Sequence, residues 1–301
     1  MFELKNEKIA IPVVLIAGII WSFGPLVVRH MNEPNLVPWQ YIFARGLTIF
    51  LILNFYLFFE EGKYFYKNYF KIGISGVVGG TGLGIAMITF IYSITNTSAA
   101  VTLLCLAAMP FFTALLGFMF LKERISVNVW IAIVIATIGI IIIALGNTEK
   151  SSLLGLIFGM TSSIGFSVFS VTLRWRKETP KFTTVAFAGF FCFTVAAIII
   201  LSNDLVFFST SYNGALFSIH GTLVCVGLIL YSIGSKAIPA AELTLLSLTE
   251  VIGGIFWVWV PFLGINEIPS TNTIIGGFFL FMSIIYYSLT IKTNRRFIAL
   301  N

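Results

Sequence analysis

Two charged residues, Arg45 and Glu250, lie deep inside long apolar stretches of the chain. Glu250 lies near the middle of the stretch 239–262, and Arg45 lies about eight residues into the stretch 38–59. A charge at the centre of a bilayer costs about 3 kcal/mol or more, so such residues usually face an internal cavity. The chemistry they offer is charge recognition. Arginine can clamp a carboxylate with two parallel donors, and a buried carboxyl group can take up and release a proton.

Each of these residues also has a purely structural interpretation. Glu250 can remain protonated and hydrogen-bond to a neighbouring helix, and Arg45 can hold two helices together. Trp21, which lies in mid-span, can stack against a flat or cationic solute or only fill the core. His220 is either a packing residue or a proton relay.

Further polar residues lie in or beside the same apolar stretches. Tyr92, Asn96 and Tyr231 are candidates for polar contacts to a bound solute. Glu123 and Glu267 each lie just before an apolar stretch, so they are expected to stabilise the start of a helix. A gating contact is the alternative for both carboxylates.

The composition predicts that these residues lie in membrane-spanning helices. The chain is 58% hydrophobic and 10% charged over 301 residues, and its mean hydropathy is +1.00. Residues 72–121 contain no Asp, Glu, Lys or Arg. About 20 apolar residues span a bilayer, so this run fits two helices. The polar cluster 93–98 divides it into a hairpin.

The apolar stretches predict ten helices joined by short connections. The first is expected to be retained, because its apolar run is longer than that of a signal peptide and lacks a small-residue cleavage site. The ten helices are predicted near residues 9–28, 38–59, 72–93, 98–120, 127–145, 153–173, 183–202, 215–235, 239–262 and 271–291.

The loop charges predict that both termini are cytoplasmic in a multi-pass protein of the cell (inner) membrane. With the N-terminus inside, fifteen Lys and Arg residues fall on the inner side, and only Arg29 and Lys150 fall in outer loops. This asymmetry follows the positive-inside rule. The net charge of +6 therefore reflects topology and does not indicate a nucleic-acid partner.

Short sequence similarities recur at a nearly constant offset and predict two five-helix halves. Glu123 and Glu267 are 144 residues apart, and Arg29 and Arg174 are 145 apart. The segment 98–100 is similar to 239–241. An odd number of helices in each half inverts the second half, which is a recurrent design of transporters. The predicted halves are residues 1–149 and 150–301.

The chain resembles the drug/metabolite transporter superfamily, specifically its EamA-type ten-helix carriers. The resemblance is carried by residues 98–126 with Pro110, by Trp21, by the stretch 38–45, and in the second half by 239–241 and Glu250. It implies an all-α fold of two inverted five-helix repeats, each one EamA-like. It also implies transport of small organic solutes.

The expected function is secondary transport of a small organic metabolite, such as an amino acid or a related solute, by export or exchange with alternating access. The expected partners are this solute and the lipid bilayer, with protons as a candidate coupling ion, and the protein is expected to be a monomer or a weak dimer.

No cofactor or metal is expected, because the three cysteines lack metal-ligand spacing. A channel-like facilitator, an intramembrane enzyme, a lipid scramblase and a receptor are the alternatives. The poor set of catalytic groups disfavours the enzyme.

Overall fold

The fold is described from a computed structural model, which covers residues 6–123, 125–146, 153–176, 178–208, 210–265, 268 and 270–298. Ten long helices, α1 to α10, follow one another in this part of the chain, which contains no strand. The helices without a break are α2 (Pro38–Glu61), α3 (Gly73–Asn96), α5 (Val127–Gly146), α6 (Leu153–Trp175), α7 (Lys181–Ser202), α8 (Ser211–Gly234) and α10 (Thr271–Ile298).

Three helices are interrupted near their middle. The two segments are Glu7–Trp21 and Gly24–Arg29 in α1, Ala99–Leu106 and Met109–Leu116 in α4, and Ala240–Leu246 and Thr249–Trp259 in α9. Proline explains two of the breaks, because it lacks the N–H that continues a helix. Pro25 and Pro110 lie in the first turn after the breaks in α1 and α4. The break in α9 has no proline.

Eight of the described helices are long and apolar enough to cross a membrane, and α5 and α10 contribute the shorter apolar stretches Val127–Ile142 and Ile274–Tyr287. Each of the ten predicted helices overlaps one of the observed helices. The predicted hairpin turn is also confirmed, since α3 ends at Asn96 and α4 begins at Ala99. Cys105, Cys192 and Cys225 are buried and free, as expected for small apolar residues.

Glycines set the closest approaches between helices. A Cβ atom added to Gly189 on α7 would lie 2.9 Å from the carbonyl oxygen of Gly46 on α2. One added to Gly165 on α6 would lie 2.6 Å from the carbonyl oxygen of Gly82 on α3. Without these glycines the backbones could not come so close, which is how helices associate tightly where no water drives them together. The close packing of α2, α3, α6 and α7 supports the site described next.

Candidate functional site: a central cavity

A cavity lies between seven helices, and the space between its walls, counted together with the solvent at its open side, is about 510 Å³. Most of its wall is apolar, and the charged side chains among its lining residues are one arginine and one glutamate. The lining residues are Trp21, Arg45, Leu83, Ala86, Met87, Phe90, Leu106, Met109, Ser162, Phe166, His220, Val224, Leu228 and Glu250.

All three helix breaks lie beside this cavity. Trp21 is the last residue before the break in α1, Leu106 and Met109 border the break in α4, and Glu250 follows the break in α9. At the break in α9 the backbone N–H of Glu250 donates to the carbonyl oxygen of Ser247 at 2.9 Å, three residues back. Interrupted helices at mid-membrane are typical of transporter binding sites.

Arg45 is buried against the cavity with unused hydrogen-bond donors. Its side chain is 5% exposed, and its Nε and Nη1 atoms have no hydrogen-bond partner. The guanidinium lies 5.5 Å from the ring centroid of Phe90, which places it for a cation–π contact. Unpaired buried donors are costly, and in a binding site a ligand can satisfy them. Two free donors of one guanidinium suit a carboxylate.

Glu250 also lines the cavity, as its position in the apolar stretch had suggested. Among the described residues no ion pair joins Arg45 to Glu250, although both border the same space. The cavity thus offers a cation and an anion that do not neutralise each other by direct contact. A molecule carrying both charges can contact both residues.

His220 is held in a defined orientation beside Arg45. The Tyr41 hydroxyl and His220 Nδ1 share a hydrogen bond, and Tyr41 stacks on Phe217 with ring centroids 4.8 Å apart. Tyr41 and Arg45 lie one helical turn apart on α2, so α2 places both residues toward α8 and the cavity. The histidine ring is therefore both packed and part of the cavity wall.

Trp21 and Phe166 border the cavity, and Tyr231 lies behind them. The ring centroid of Tyr231 is 5.5 Å from that of Trp21 and 5.2 Å from that of Phe166. Tyr231 is fully buried, and its hydroxyl group and Ser170 Oγ lie 2.7 Å apart. Tyr231 is absent from the cavity lining. Trp21, Phe166 and Tyr231 are here called the aromatic cluster.

Tyr92 and Asn96 are also absent from the cavity lining. The Tyr92 ring contacts Trp39 and Phe158, with centroids 5.3 and 5.2 Å apart. Asn96 is exposed at the end of α3, where its side-chain amide donates to the Tyr92 carbonyl oxygen at 2.8 Å. The structure thus brings together three of the six predicted substrate-binding residues, Trp21, Arg45 and Glu250.

Glu123 connects three helix ends beyond the aromatic cluster. Its Oε1 atom lies 2.6 Å from Nε of Arg174 at the end of α6, and its Oε2 accepts from the backbone N–H of Ala240 at the start of α9. Arg174 also donates to the carbonyl oxygens of Ser235 and Ile238. Glu123 therefore stabilises the start of α9, and the expected counterpart Glu267 lies outside the described residues.

A comparison with known protein families identifies the first half of the chain. Residues 8–145 match the EamA-like transporter family. The resemblance to EamA-type carriers is thereby confirmed, and the protein is a membrane transporter.

Two curated relatives are similar to this chain along most of their length. An uncharacterized transporter of Helicobacter pylori strain J99 is 26% identical over 208 residues, which cover 67% of each chain. The pseudopaline exporter CntI of Pseudomonas aeruginosa strain PAO1 is 24% identical over 222 residues, covering 73% of this chain and 75% of the exporter. Both relatives are described as transport proteins.

A solved crystal structure shares the fold of this protein over nearly the whole chain. The two structures align with a TM-score of 0.73 at 17% sequence identity, covering 96% of this chain and 99% of the other. The arrangement of the helices is therefore an established protein fold.

Several residues that line the cavity were not singled out by the sequence. Leu83, Met87 and Phe90 lie on one face of α3 at helical spacing, but the same spacing is equally typical of core residues. Phe166 carries a clearer signal, because the sequence repeat pairs Phe166 with Trp21. Adding the repeat offset of 145 residues to the candidate Trp21 leads to Phe166.

Proposed function

We propose that the protein is a secondary transporter that exchanges or exports small organic solutes carrying both a carboxylate and an amine, such as amino acids and related compounds. The observation that carries this proposal is the pair of opposite charges, Arg45 and Glu250, around one cavity without direct contact. Arg45 binds the carboxylate through its free Nε and Nη1 donors. Glu250 binds the cationic amine.

The apolar wall of the cavity selects the rest of the solute. Leu83, Met87, Leu106 and Val224 line it together with aromatic residues. Burial of an apolar side chain against such a wall contributes about 0.8 kcal/mol per CH₂ group. The preferred solutes are therefore zwitterions with an apolar substituent, and small polar amino acids bind more weakly.

Transport by the purified protein tests this proposal. Proteoliposomes loaded with unlabelled leucine are diluted into radiolabelled leucine, and counterflow is compared with that of protein-free liposomes and of the Arg45→Gln variant. We expect accumulation at least fivefold above protein-free liposomes and a loss of most of it in the variant. Counterflow at the protein-free level for leucine and for a mixture of the other amino acids would refute the proposed substrate class.

The proposed architecture is two inverted five-helix repeats, α1–α5 and α6–α10, and the helix contacts support it. The pairs α2–α7, α4–α9 and α5–α10 each combine one helix with its counterpart in the other half. The other main contacts occur in matched pairs, α1–α8 with α3–α6 and α2–α8 with α3–α7. Exchanging the halves leaves this pattern unchanged, as a twofold relation between them requires.

The cavity lining supports the same relation. Three pairs of lining residues are each separated by 141 residues, and one pair is separated by 145, the offsets at which the sequence repeats. Equivalent positions of the two halves therefore face each other across the cavity. The pairs are Leu83 and Val224, Met87 and Leu228, Met109 and Glu250, and Trp21 and Phe166.

Alternating access is the proposed mechanism. In this mechanism the aromatic cluster closes the cavity at one end, and the ion pair between Glu123 and Arg174 lies beyond it, about 12 Å further along α6 from Phe166. Opening at that end requires α4 and α9 to separate from α6, which breaks this ion pair. Rocking of the helices around the interrupted segments then exposes the cavity to the other side.

Both termini are proposed to be cytoplasmic in the cell (inner) membrane. The loop charges support this orientation, because Lys63, Lys122 and Arg176 are exposed at the end where α2, α4 and α6 finish. The Glu123 ion pair then closes the cytoplasmic side. The exporter among the relatives supports outward transport of the solute.

Protons are the proposed coupling ion, with Glu250 as their binding site. A carboxylate that binds a cationic amine can instead bind a proton, so the two compete for Glu250. Release of the solute outside lets a proton take its place and return to the cytoplasm. This competition makes solute export depend on the proton gradient.

A further inference from the structure

The connection between α2 and α3, residues 62–72, is an ordered surface of alternating basic and aromatic residues. It contains a 3₁₀ turn, Gly62–Tyr64, and a short helix, Lys67–Phe70. Lys63, Lys67 and Lys71 follow one another at intervals of four residues and are all exposed. None of these residues lines the cavity, so none of them contacts the transported solute in the proposed function.

One side of this connection is anchored to the protein. Phe65 and Tyr69 pack against the hydrophobic core, and the Tyr69 hydroxyl donates to Oδ1 of Asn54 at 2.9 Å. Burial raises the pKa of Tyr69 above its ordinary value, so this phenol stays neutral and remains a donor. Asn68 donates to the Glu61 carboxylate, which holds that acidic group within the connection.

The other side carries aromatic rings that face outward. Tyr64 is 55% exposed, Tyr66 48% and Phe70 87%. The ammonium groups of Lys63 and Lys67 lie 5.2 and 4.7 Å from the Tyr64 ring centroid. Aromatic rings at the membrane surface sit at the level of the lipid headgroups. The lysines beside them are then at the level of the lipid phosphates.

The corresponding connection of the second half lacks these features. Residues 203–210, between α7 and α8, contain no Lys or Arg and one acidic residue, Asp204. Leu205, Val206 and Phe208 are exposed there, at 42%, 66% and 70%. Both connections therefore present apolar side chains, and only residues 62–72 add a row of positive charge.

We propose that residues 62–72 form a binding site for anionic glycerophospholipids. Lys63, Lys67 and Lys71 bind the lipid phosphate and headgroup, while Tyr66 and Phe70 contact the upper acyl chain. Charge complementarity identifies the partner, because one lysine near an anionic membrane surface strengthens the attraction about fivefold. A zwitterionic phospholipid offers the same acyl contact but no net charge for the three lysines.

Site-specific photocrosslinking in membranes of known composition tests this proposal. The full-length protein with Phe70→benzoylphenylalanine is reconstituted into liposomes of phosphatidylcholine and phosphatidylglycerol in a 4:1 ratio, and lipid adducts are identified by mass spectrometry. Both leaflets have the same composition, so the result does not depend on the orientation of the protein. We expect phosphatidylglycerol to be enriched among the adducts about fivefold or more over its bulk fraction.

Two controls distinguish this site from general lipid contact. Benzoylphenylalanine at Phe208 probes the uncharged connection and should give adducts near the bulk ratio. Lys63→Gln with Lys67→Gln and Lys71→Gln should bring the ratio at position 70 close to the bulk value, with an unchanged melting temperature in phosphatidylcholine. Millimolar glycerol phosphate in solution should leave the enrichment intact.

Several outcomes would overturn the proposal. Equal ratios at positions 70 and 208 would show that the lysines select no lipid. If the enrichment survives the loss of all three lysines, the lysines do not bind the lipid charge. If soluble glycerol phosphate abolishes the enrichment, the site binds a free phosphate and not a membrane lipid. Adducts to a second protein molecule in place of lipid would identify the surface as a contact between copies of the chain.

Discussion

The Glu123 carboxylate at the end of α4 pairs with Arg174 at the end of α6, with Oε1 and Nε only 2.6 Å apart. The same carboxylate accepts the backbone N–H of Ala240, so one side chain connects the ends of α4 and α6 to the start of α9. In the proposed alternating-access mechanism, this contact stabilises the closed state of this end of the cavity and breaks when the cavity opens there.

The first prediction is that Glu123→Gln favours opening at this end. The ion pair is partly exposed, at 24% and 22%, so its loss is expected to shift the equilibrium by about 1 kcal/mol, or about fivefold. The readout is maleimide labelling from the cytoplasmic side of a probe at Ser232→Cys, with the three native cysteines replaced by alanine. Labelling should be about five times faster in the variant.

The matched control is Glu61→Gln, which removes an exposed carboxylate from the same end of the protein but not from the ion pair. It should leave the labelling rate unchanged. If both variants label at the rate of the unmodified protein, the ion pair does not hold this end closed.

The second prediction concerns stability and separates the two interpretations of Arg45. Because its Nε and Nη1 lack partners, Arg45→Gln should raise the unfolding free energy by about 1–2 kcal/mol while it removes most of the counterflow and leaves a measurable remainder. Arg174→Gln should lower stability, because Arg174 donates to Ser235 and Ile238 and pairs with Glu123. Thermal unfolding in detergent measures both changes. A loss of stability in Arg45→Gln as large as that in Arg174→Gln would make Arg45 a structural contact.

The sequence predicts most of the helices, because their ends have local causes. Pro25 and Pro110 interrupt α1 and α4 where the missing N–H requires it, and the polar cluster 93–98 marks the turn after α3. The break in α9 between Leu246 and Thr249 has no such signal in the sequence. Thr249, which follows the break, donates through Oγ1 to the carbonyl oxygen of Leu15 on α1 at 3.4 Å.

The candidate site is predicted only in part, for a related reason. Arg45 and Glu250 stand out because a charge within an apolar stretch is costly wherever the helix lies. Tyr231 lies one turn beyond Leu228 on α8, and no local pattern shows that the cavity ends between them. The partner of Glu123 is likewise set by the packing of α4 against α6, and not by spacing along the chain.

The third prediction is that Glu250→Gln uncouples transport from the proton gradient. Glutamine keeps the shape of glutamate but binds no proton, so counterflow exchange should persist while an imposed pH gradient no longer changes the transport rate. Proteoliposomes at two internal pH values provide the measurement. Glu242→Gln, which removes a carboxylate outside the cavity lining, should preserve the pH response. A pH response that is equal in the unmodified protein and in Glu250→Gln would exclude Glu250 as the proton site.

The fourth prediction is the orientation of the loops. Asp204 is exposed between α7 and α8, so a cysteine there should react with an impermeant maleimide added outside intact cells. Lys67→Cys, in the connection between α2 and α3, should react only after the cells are opened. Asn213 is a poorer probe, because it is buried and hydrogen-bonded to Asn32. The reverse labelling pattern would place both termini outside.

The most direct test of the central claim, that Arg45 and Glu250 bind opposite ends of one solute, is an analogue competition in proteoliposomes. Leucine, leucine methyl ester and 4-methylpentanoate compete with radiolabelled leucine in counterflow. The unmodified protein should prefer leucine at least tenfold over either analogue. Arg45→Gln should lose only the discrimination against the ester, which lacks the carboxylate. Glu250→Gln should lose only the discrimination against 4-methylpentanoate, which lacks the amine. The claim would be contradicted if the unmodified protein bound leucine and both analogues equally well. It would also be contradicted if each variant lost the discrimination against both analogues to the same degree.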